Sequence, residues 1–248
     1  MGLIEELVEH ARERARNLPP REFVPRPAVA SLLASLRGKS RLDVIAEFKQ
    51  ASPSLGAIAE RDVESHVQAY VRAGASAVSV LTEPTHFRGS YDDLERAAKC
   101  VQVPILMKDF VVDPAQVREA AFRGAGGVLL IVRCLSAAQL DELGSASRSY
   151  GLTPFVECHR DKEIERALDL EDAVIGVNNR DLETLEIDRG LAPRLLTEIP
   201  SERVVVAESG YESAADVRDV RGVADAVLVG SALMKRDDPE ALIREFRG

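Results

Sequence analysis

Short apolar runs recur along the chain, and turn signals or apolar residues at helical spacing lie between them. After the first run, for example, Val63, Val67 and Val71 share one helical face, and Ser136 is an N-cap candidate further along. Strands and helices are therefore predicted to alternate throughout. The eight predicted strands are Val44–Phe48, Ala77–Leu81, Pro104–Met107, Gly127–Val132, Thr153–Val156, Ala173–Val177, Val204–Ala207 and Ala226–Val229.

Unbroken apolar strands separated by helices are typical of a parallel sheet that helices cover. Eight of them favour closure into a barrel over an open doubly wound sheet, and 248 residues suit one such barrel. We predict the α/β class, with a single (β/α)8 TIM barrel over residues 41–248. Residues 1–40 are predicted to be an N-terminal helical extension packed on the barrel, with a helix at Leu3–Ala15 and a proline-rich stretch that runs to Pro27.

Polar residues follow nearly every apolar run, at the strand ends where barrel enzymes carry their reacting groups. In the first run Ile45, Glu47 and Lys49 share one face of the strand, because side chains alternate between the two faces. If the other face meets the helices, Glu47 and Lys49 point into the barrel. The same alternation directs inward the side chains of Lys108, Glu157, Asn178 and Glu208.

Lysines and carboxylates that converge in a partly desolvated space must form ion pairs or shift their pKa values. Together they offer a proton donor and proton acceptors, which general acid–base catalysis requires. The alternative is a buried ion-pair network that only holds the barrel together. Such networks contribute little net stability, so the pattern favours catalysis.

Glycines follow the seventh and eighth apolar runs, in Glu208-Ser209-Gly210 and in Gly230-Ser231, each just before a predicted helical segment. Glycine allows backbone N–H groups to approach an anion closely, and the N-terminus of a helix favours negative charge. The pattern predicts a phosphate site, with ordinary tight turns between strand and helix as the alternative.

Composition limits the range of partners. The formal net charge of −9 argues against nucleic acid or an anionic membrane as partners, although a few lysines and arginines can still bind a small anionic substrate. Three cysteines without C-x-x-C spacing and four scattered histidines predict buried thiols and no metal site. An acidic N-terminal segment and the absence of a run of about 18 apolar residues predict a soluble cytoplasmic protein.

Four segments, in this order and spacing, resemble the indole-3-glycerol-phosphate synthase family: Ile45–Ser54, Leu106–Phe110, Gly176–Leu182 and Ala207–Gly210. The resemblance runs from about residue 40 to the end of the chain, and the first 40 residues fit the family's N-terminal extension more loosely. It implies a carboxy-lyase of tryptophan biosynthesis. Such enzymes close the indole ring of 1-(2-carboxyphenylamino)-1-deoxyribulose 5-phosphate and lose carbon dioxide and water, without a cofactor.

The resemblance also implies residue roles. Lys108 would be the general acid that protonates the ribulose carbonyl oxygen, and Glu157 would assist proton transfer in the later dehydration. Lys49 would hold the substrate carboxylate and supply a further proton, and Glu47 would orient the lysines. The sugar hydroxyls would be bound by Asn178, Glu208 and Ser209, and the phosphate by Ser52, Arg180, Gly210, Gly230 and Ser231.

The aromatic ring of such a substrate needs an apolar wall. Strand ends and loops offer five candidates, each of which could equally be ordinary core or loop packing: Phe87, Phe110, Leu129, Leu182 and Leu228.

Two departures from the family pattern change the expected contacts. Gln50 follows Lys49 where many members have a basic residue, so carboxylate recognition would depend more on Lys49. The chain has no tryptophan, whereas some members place one from the N-terminal segment against the substrate ring. An apolar residue of that segment, Leu3, Leu7 or Val8, would close the site instead.

Two other functions remain as alternatives. Phosphoribosylanthranilate isomerase, a related phosphate-binding barrel, needs a cysteine and aspartate pair at strand ends, which is missing from the matching places. A non-catalytic barrel that binds a sugar phosphate or a partner protein has no need of a proton donor opposite an acceptor. We predict an anionic small-molecule substrate carrying phosphate and carboxylate, and a monomer or weak homo-oligomer.

Overall fold

A computed structural model describes residues 2–22, 31–38, 41–53, 56–57, 61–236 and 238–248. Pro27 at the end of the predicted proline-rich stretch and Ser54 at the end of the first family-like segment lie outside the described residues. So do residues 39–40, and the predicted boundary at residue 40 therefore stays a prediction.

Eight parallel strands close into a barrel in which each strand pairs with its neighbours in sequence and the last pairs with the first. The predicted TIM barrel is confirmed. Four strands run further than predicted and include polar residues that the sequence placed just beyond them, because the ladder needs only backbone groups. The strands are β1 Asp43–Phe48, β2 Ala77–Leu81, β3 Ile105–Lys108, β4 Gly127–Ile131, β5 Thr153–Cys158, β6 Val174–Asn178, β7 Val204–Glu208 and β8 Ala226–Val229.

Helices cover the outside of the barrel and begin at short polar caps. Ser90, for example, accepts a hydrogen bond from the backbone N–H of Asp93 and starts the fourth helix. The helices are α1 Leu3–Arg16, α2 Leu32–Leu36, α3 Val63–Arg72, α4 Tyr91–Cys100, α5 Pro114–Arg123, α6 Ala137–Ser149, α7 Asp161–Leu168, α8 Leu191–Leu196, α9 Ser231–Met234 and α10 Pro239–Arg247. None of the helices within the described ranges is both long and apolar enough to cross a membrane.

The connection between β7 and β8 differs from the predicted alternation. It contains turns and one 3-10 turn at Arg218–Val220, so the expected helical segment directly after Gly210 is wrong. The Asp216 carboxylate accepts hydrogen bonds from the backbone N–H groups of Glu212 at 3.1 Å and Ser213 at 2.9 Å. Such local side-chain bonds offer the backbone an alternative to helical bonding.

The N-terminal extension contacts both ends of the barrel. Helix α1 buries Leu7, Val8 and Ala11 in the common hydrophobic core. Helix α2 lies at the other end, where Ser31, its N-cap, has its hydroxyl 3.2 Å from that of Thr153, the first residue of β5.

The barrel interior leaves no space at Gly176 in β6. A Cβ atom built there would lie 2.3 Å from Glu208 Oε1 and 2.5 Å from the ring of Phe155. Phe155 is fully buried, and so is Glu208 except for 1% of its surface. The absence of a side chain at Gly176 therefore allows a large ring and a carboxyl group to occupy the interior together.

We expect Gly176→Ala to lower the free energy of unfolding by about 1–3 kcal/mol, the usual range for overpacking a filled interior. The control is Gly190→Ala, since a Cβ atom there meets only the side chain of Asp188, at 3.2 Å. The control should change the free energy by less than about 1 kcal/mol. Denaturant titration of both variants measures the difference, and equal midpoints would contradict the packing described.

Candidate active site

A cavity opens at the C-terminal ends of the strands, and the empty space in and in front of it, open solvent included, is about 960 Å³. Almost all of the predicted site residues line it, although they come from every part of the chain. These are Glu47, Lys49, Phe87, Lys108, Phe110, Leu129, Glu157, Asn178, Arg180, Leu182, Glu208, Ser209, Gly210, Leu228, Gly230 and Ser231.

Ser52 is the predicted site residue that does not line this cavity. It lies in a two-residue strand, Ala51–Ser52, that pairs with Gly56–Ala57 in the loop after β1. The backbone N–H of Ala51 donates to the carbonyl oxygen of Phe87 at 3.1 Å, which ties this loop to the loop after β2. The sequence pattern indicated that Ser52 follows the end of a strand, but it did not predict whether the loop after that strand runs towards the cavity.

Lys108 occupies the centre of the site. Its Nζ donates to Glu157 Oε2 at 2.5 Å and to Glu208 Oε2 at 3.0 Å. Lys108 and Glu208 end β3 and β7, Glu157 is the last residue but one of β5, and Glu47 comes from β1. Side chains from alternate strands form layers inside a barrel of this kind, so these four groups belong to one ionic layer at its upper end.

The two carboxyl groups next to Lys108 have opposite pKa shifts. Burial by itself would raise the pKa of Glu157, but the charge of Lys108 and the hydrogen bond from its ammonium group outweigh it and lower that pKa to about 2. Burial, reinforced by the negative charge of Glu157, raises the pKa of Glu208 well above its ordinary value. Glu157 is thus a carboxylate at neutral pH, and Glu208 keeps its proton to a higher pH than Glu157 does. Paired groups with divergent pKa values are typical of acid–base sites.

The ammonium group of Lys108 stays charged despite its surroundings. Burial alone would lower the pKa of Lys108, but the carboxyl groups of Glu157, Glu208 and Glu47 raise it above its ordinary value. At neutral pH the site therefore holds a proton on Lys108 next to an ionised acceptor, Glu157. A proton donor and a proton acceptor are both within reach of a bound molecule.

A second ion pair lies beside the first. Lys49 Nζ donates to Glu47 Oε1 at 2.7 Å, and both side chains are largely buried. Gly230 makes room for this pair, because a Cβ atom there would lie 2.2 Å from Glu47 Oε1. A side chain at position 230 would displace Glu47 and, with it, the ammonium group of Lys49.

The predicted phosphate residues form the rim of the cavity near β6, β7 and β8. Ser209 and Gly210 both have positive φ, 65° and 90°, which turns the chain sharply at the end of β7. Arg180 donates to the carbonyl oxygen of Leu185 at 2.9 Å, and burial lowers its pKa. Ser231 begins α9, a helix of four residues.

Several lining residues were not predicted, among them Leu81, Ile131, Ile187 and Tyr211. Ile187 is 42% exposed, the largest exposure of a large apolar residue among those the structure describes. It lies in the loop after β6, in an isolated antiparallel bridge with Arg180. No periodic pattern marks residues of such loops, so Ile187 could not be identified from the sequence.

Glu83 and Asp109 also line the cavity and shape its loops. The sequence showed both as polar strand ends but gave no role. The Glu83 carboxylate accepts from the backbone N–H groups of Thr85, His86 and Phe87, at 2.9, 2.7 and 3.1 Å. These bonds fix the loop that carries Phe87, one of the predicted apolar wall residues.

Asp109 connects the site to the N-terminal extension. Its carboxylate accepts two hydrogen bonds from Arg14 in α1, at 2.9 and 2.7 Å. It also accepts from the hydroxyl of Thr82 at 2.7 Å. Leu3, Leu7 and Val8, the predicted apolar residues of this segment, do not line the cavity. Helix α1 instead contacts the site through the polar pair of Arg14 and Asp109.

Within the described part of the chain, no group of three or more histidine, cysteine or carboxylate side chains is arranged to hold a metal ion. The groups that converge on the cavity floor are amines and carboxyls, which are able to exchange protons and carry charge.

Known proteins are similar to this chain in fold and, in some cases, also in sequence. A solved structure of tryptophan synthase from M. tuberculosis superposes with a TM-score of 0.66 over 88% of this chain and 97% of that chain, at 16% identity. That likeness concerns the fold alone. An indole-3-glycerol phosphate synthase from Leifsonia xyli is 46% identical over 247 residues, 98% of this chain and 95% of the relative. The corresponding protein of Deinococcus radiodurans is 48% identical over 202 residues, 80% and 75% of the two chains.

The family model described as indole-3-glycerol phosphate synthase matches residues 5–246, which covers both the barrel and most of the N-terminal extension. The resemblance found in four segments of the sequence is thereby confirmed over almost the whole length. The chain belongs to the indole-3-glycerol phosphate synthase family.

Proposed function

We propose that this protein closes the indole ring of 1-(2-carboxyphenylamino)-1-deoxyribulose 5-phosphate, with loss of carbon dioxide and water. The contact of Lys108 Nζ with the carboxyl groups of Glu157 and Glu208, at 2.5 and 3.0 Å, carries the proposal. This contact places a charged proton donor, Lys108, beside an ionised acceptor, Glu157, at the floor of the cavity. The family membership supplies the substrate, and the cavity offers a partner for each of its chemical parts.

Ring closure needs an acid. When the aromatic carbon that bears the carboxylate attacks the ribulose carbonyl carbon, a carbon–carbon bond forms and the carbonyl oxygen becomes negative. Lys108 donates its proton to this oxygen. Because catalysis requires stronger binding of the transition state than of the ground state, an ammonium group held ready by two carboxyls is well suited to this developing charge.

Decarboxylation and dehydration complete the reaction. The bond between the ring carbon and the carboxylate breaks and carbon dioxide leaves. The new hydroxyl group then departs as water with a proton from Lys49, while Glu157 accepts the proton that the five-membered ring loses. Before this step Lys49 binds the substrate carboxylate, and Glu47 orients Lys49 through its contact of 2.7 Å. Because Gln50 is uncharged, Lys49 is the basic residue of this segment that serves the role.

The remaining groups bind the rest of the substrate. Arg180, Gly210, Gly230 and Ser231 take the phosphate at the rim, where positive φ at Gly210 directs the backbone around it. Ser52 is not part of the cavity wall, and its contact with the phosphate stays a prediction. Asn178, Glu208 and Ser209 bind the sugar hydroxyls, and Phe87, Phe110, Leu129, Leu182 and Leu228 contact the aromatic ring.

Indole fluorescence tests the proposal directly. The chain contains no tryptophan, so product formed from added substrate is detected over a low background. We expect the signal to rise on mixing substrate and protein. A flat signal with intact substrate would contradict the proposal and favour a barrel that binds sugar phosphates without turning them over.

Lys108→Met should abolish turnover, because it removes the proton donor while keeping a side chain of similar length. Substrate affinity should stay within about tenfold, roughly 1.4 kcal/mol, since other groups bind the phosphate and carboxylate. The matched control is Lys99→Met, a lysine on α4 that is 66% exposed. Steady-state rates and substrate titration of both variants check this. Near-normal turnover by Lys108→Met would remove Lys108 from the mechanism.

The raised pKa of Glu208 makes stability depend on pH in a defined direction. The folded chain holds this proton more tightly than the unfolded chain, whose glutamate titrates near about pH 4.3. The stabilisation that this proton provides is complete below the pKa of the unfolded chain. It is lost as the pH rises through the raised pKa of Glu208 in the folded chain. Glu157 does not change the free energy of unfolding in this pH range, because its pKa of about 2 affects stability only in acid.

Glu208→Gln cannot ionise, so its free energy of unfolding should rise relative to the wild type as the pH increases from about 4.3, where unfolded glutamate titrates, into the alkaline range. Denaturant titrations across this range measure the difference. Exposed Glu202→Gln serves as the control and should show a constant difference. A constant difference for Glu208→Gln as well would mean that Glu208 is ionised in the folded protein.

A further inference from the structure

His159 lies directly after β5, two residues beyond Glu157, and is 5% exposed. Its Nε2 is 3.3 Å from Glu157 Oε1, the oxygen that Lys108 does not hold. On the other side Nδ1 is 3.8 Å from Glu163 Oε2 in α7. Both ring nitrogens are buried, and neither forms a well-aligned hydrogen bond with the described residues. A buried polar ring between two carboxylates calls for a functional explanation.

The backbone fixes the position of this ring. The N–H of His159 donates to Glu163 Oε2 at 2.6 Å, which holds the end of β5 against the first turn of α7. The ring therefore stays beside Glu157 without help from a bound molecule.

The imidazole is neutral near neutral pH. Burial lowers the pKa of His159 and outweighs the raising effect of Glu157 and Glu163, while Arg133 and Lys108 lower it further. These four charged groups face the ring from different elements. Glu157 comes from β5 and Glu163 from α7, while Arg133 comes from the turn after β4 and Lys108 from β3. A neutral ring has one N–H donor, and the nearer carboxylate is that of Glu157.

Glu157 has two supports of different kinds. Lys108 holds Oε2 at 2.5 Å, but in the proposed function Lys108 gives up its proton during ring closure and loses its charge. Glu157 is needed after that point, when it accepts a proton in dehydration. The contact on Oε1 does not depend on the protonation of Lys108.

We infer that His159 is a positioning residue for Glu157: its Nε2–H donates to Glu157 Oε1 and keeps the carboxylate in place once Lys108 has become neutral. The inference rests on the proposed function, since it assigns His159 to the dehydration step alone. His159 does not line the cavity and acts only through Glu157.

Two amide variants separate this role from simple packing. In His159→Gln the amide nitrogen reaches about as far as Nε2 and can donate to Glu157. In His159→Asn the shorter side chain ends near the position of Nδ1 and cannot. Both place a neutral buried amide at position 159, so they differ chiefly in the contact with Glu157 Oε1.

The experiment follows carbon dioxide release and indole fluorescence in parallel during single turnovers. His159→Asn should slow the indole signal by roughly tenfold to a hundredfold, the range for losing a hydrogen bond to a charged group. Carbon dioxide release should stay within about twofold of the wild type, and so should KM, because ring closure precedes the affected step. His159→Gln should recover most of the lost rate.

Glu157→Gln provides the reference for a defect in dehydration. It should slow the indole signal but not carbon dioxide release, by roughly 10²–10⁴-fold, the contribution of one acid–base group. His66→Leu serves as the control, because this half-buried histidine on α3 packs beside Phe48 and Tyr70, away from Glu157. It should leave both signals near the wild-type values. Thermal unfolding confirms that each variant is folded.

Three results would overturn the inference: equal slowing of both signals in His159→Asn, unchanged signals in that variant, or equal defects in the Asn and Gln variants. Failure of the proposed function has a different signature, since the wild type itself would then release neither carbon dioxide nor indole.

Discussion

A charged amine inside a barrel is the constraint on which the rest of this structure depends. Moving an ammonium group out of water is unfavourable by several kcal/mol unless opposite charges and hydrogen bonds replace its hydration. Lys108 finds them on two other odd-numbered strands, in Glu157 on β5 and Glu208 on β7, with the charge of Glu47 close by. Two carboxylates beside one ammonium group leave excess negative charge, and burial together with this excess raises the pKa of Glu208.

This layer also determines where small residues are needed. Gly176 gives space to Glu208 and the ring of Phe155, and Gly230 gives space to Glu47. Neither has a left-handed backbone, so both are required for volume and not for conformation. Close packing around the ionic layer limits its contact with water, and a low local dielectric strengthens the attraction between Lys108 and its carboxylates. Packing and electrostatics thus depend on the same glycines.

Strand alternation accounts for how much of the fold and site the sequence could predict. Its period of two directs Glu47, Lys108, Glu157 and Glu208 inward once the strands are located, and the barrel then brings them together. Strand alternation could not predict the features that depend on loops and tertiary contacts. The path of the loop at Ser52, the turns between β7 and β8, and the bond from Arg14 to Asp109 join segments that share no periodic pattern. For the same reason His159 looked like an ordinary loop histidine, because its position between two carboxylates depends on α7.

The N-terminal extension shows how a segment outside the barrel influences its chemistry. Arg14 binds the carboxylate of Asp109, the residue that follows Lys108, and the same carboxylate holds Thr82 at the end of β2. Asp109 also accepts from the backbone N–H of Phe110 at 2.8 Å, so the turn after Lys108 is fixed from three sides. A lysine that transfers a proton has to sit within a fraction of an ångström of its target, and a lysine on a long flexible stem does not do this unaided. Helix α1 therefore contributes to the site by restricting the end of β3, without a side chain of its own on the described cavity wall.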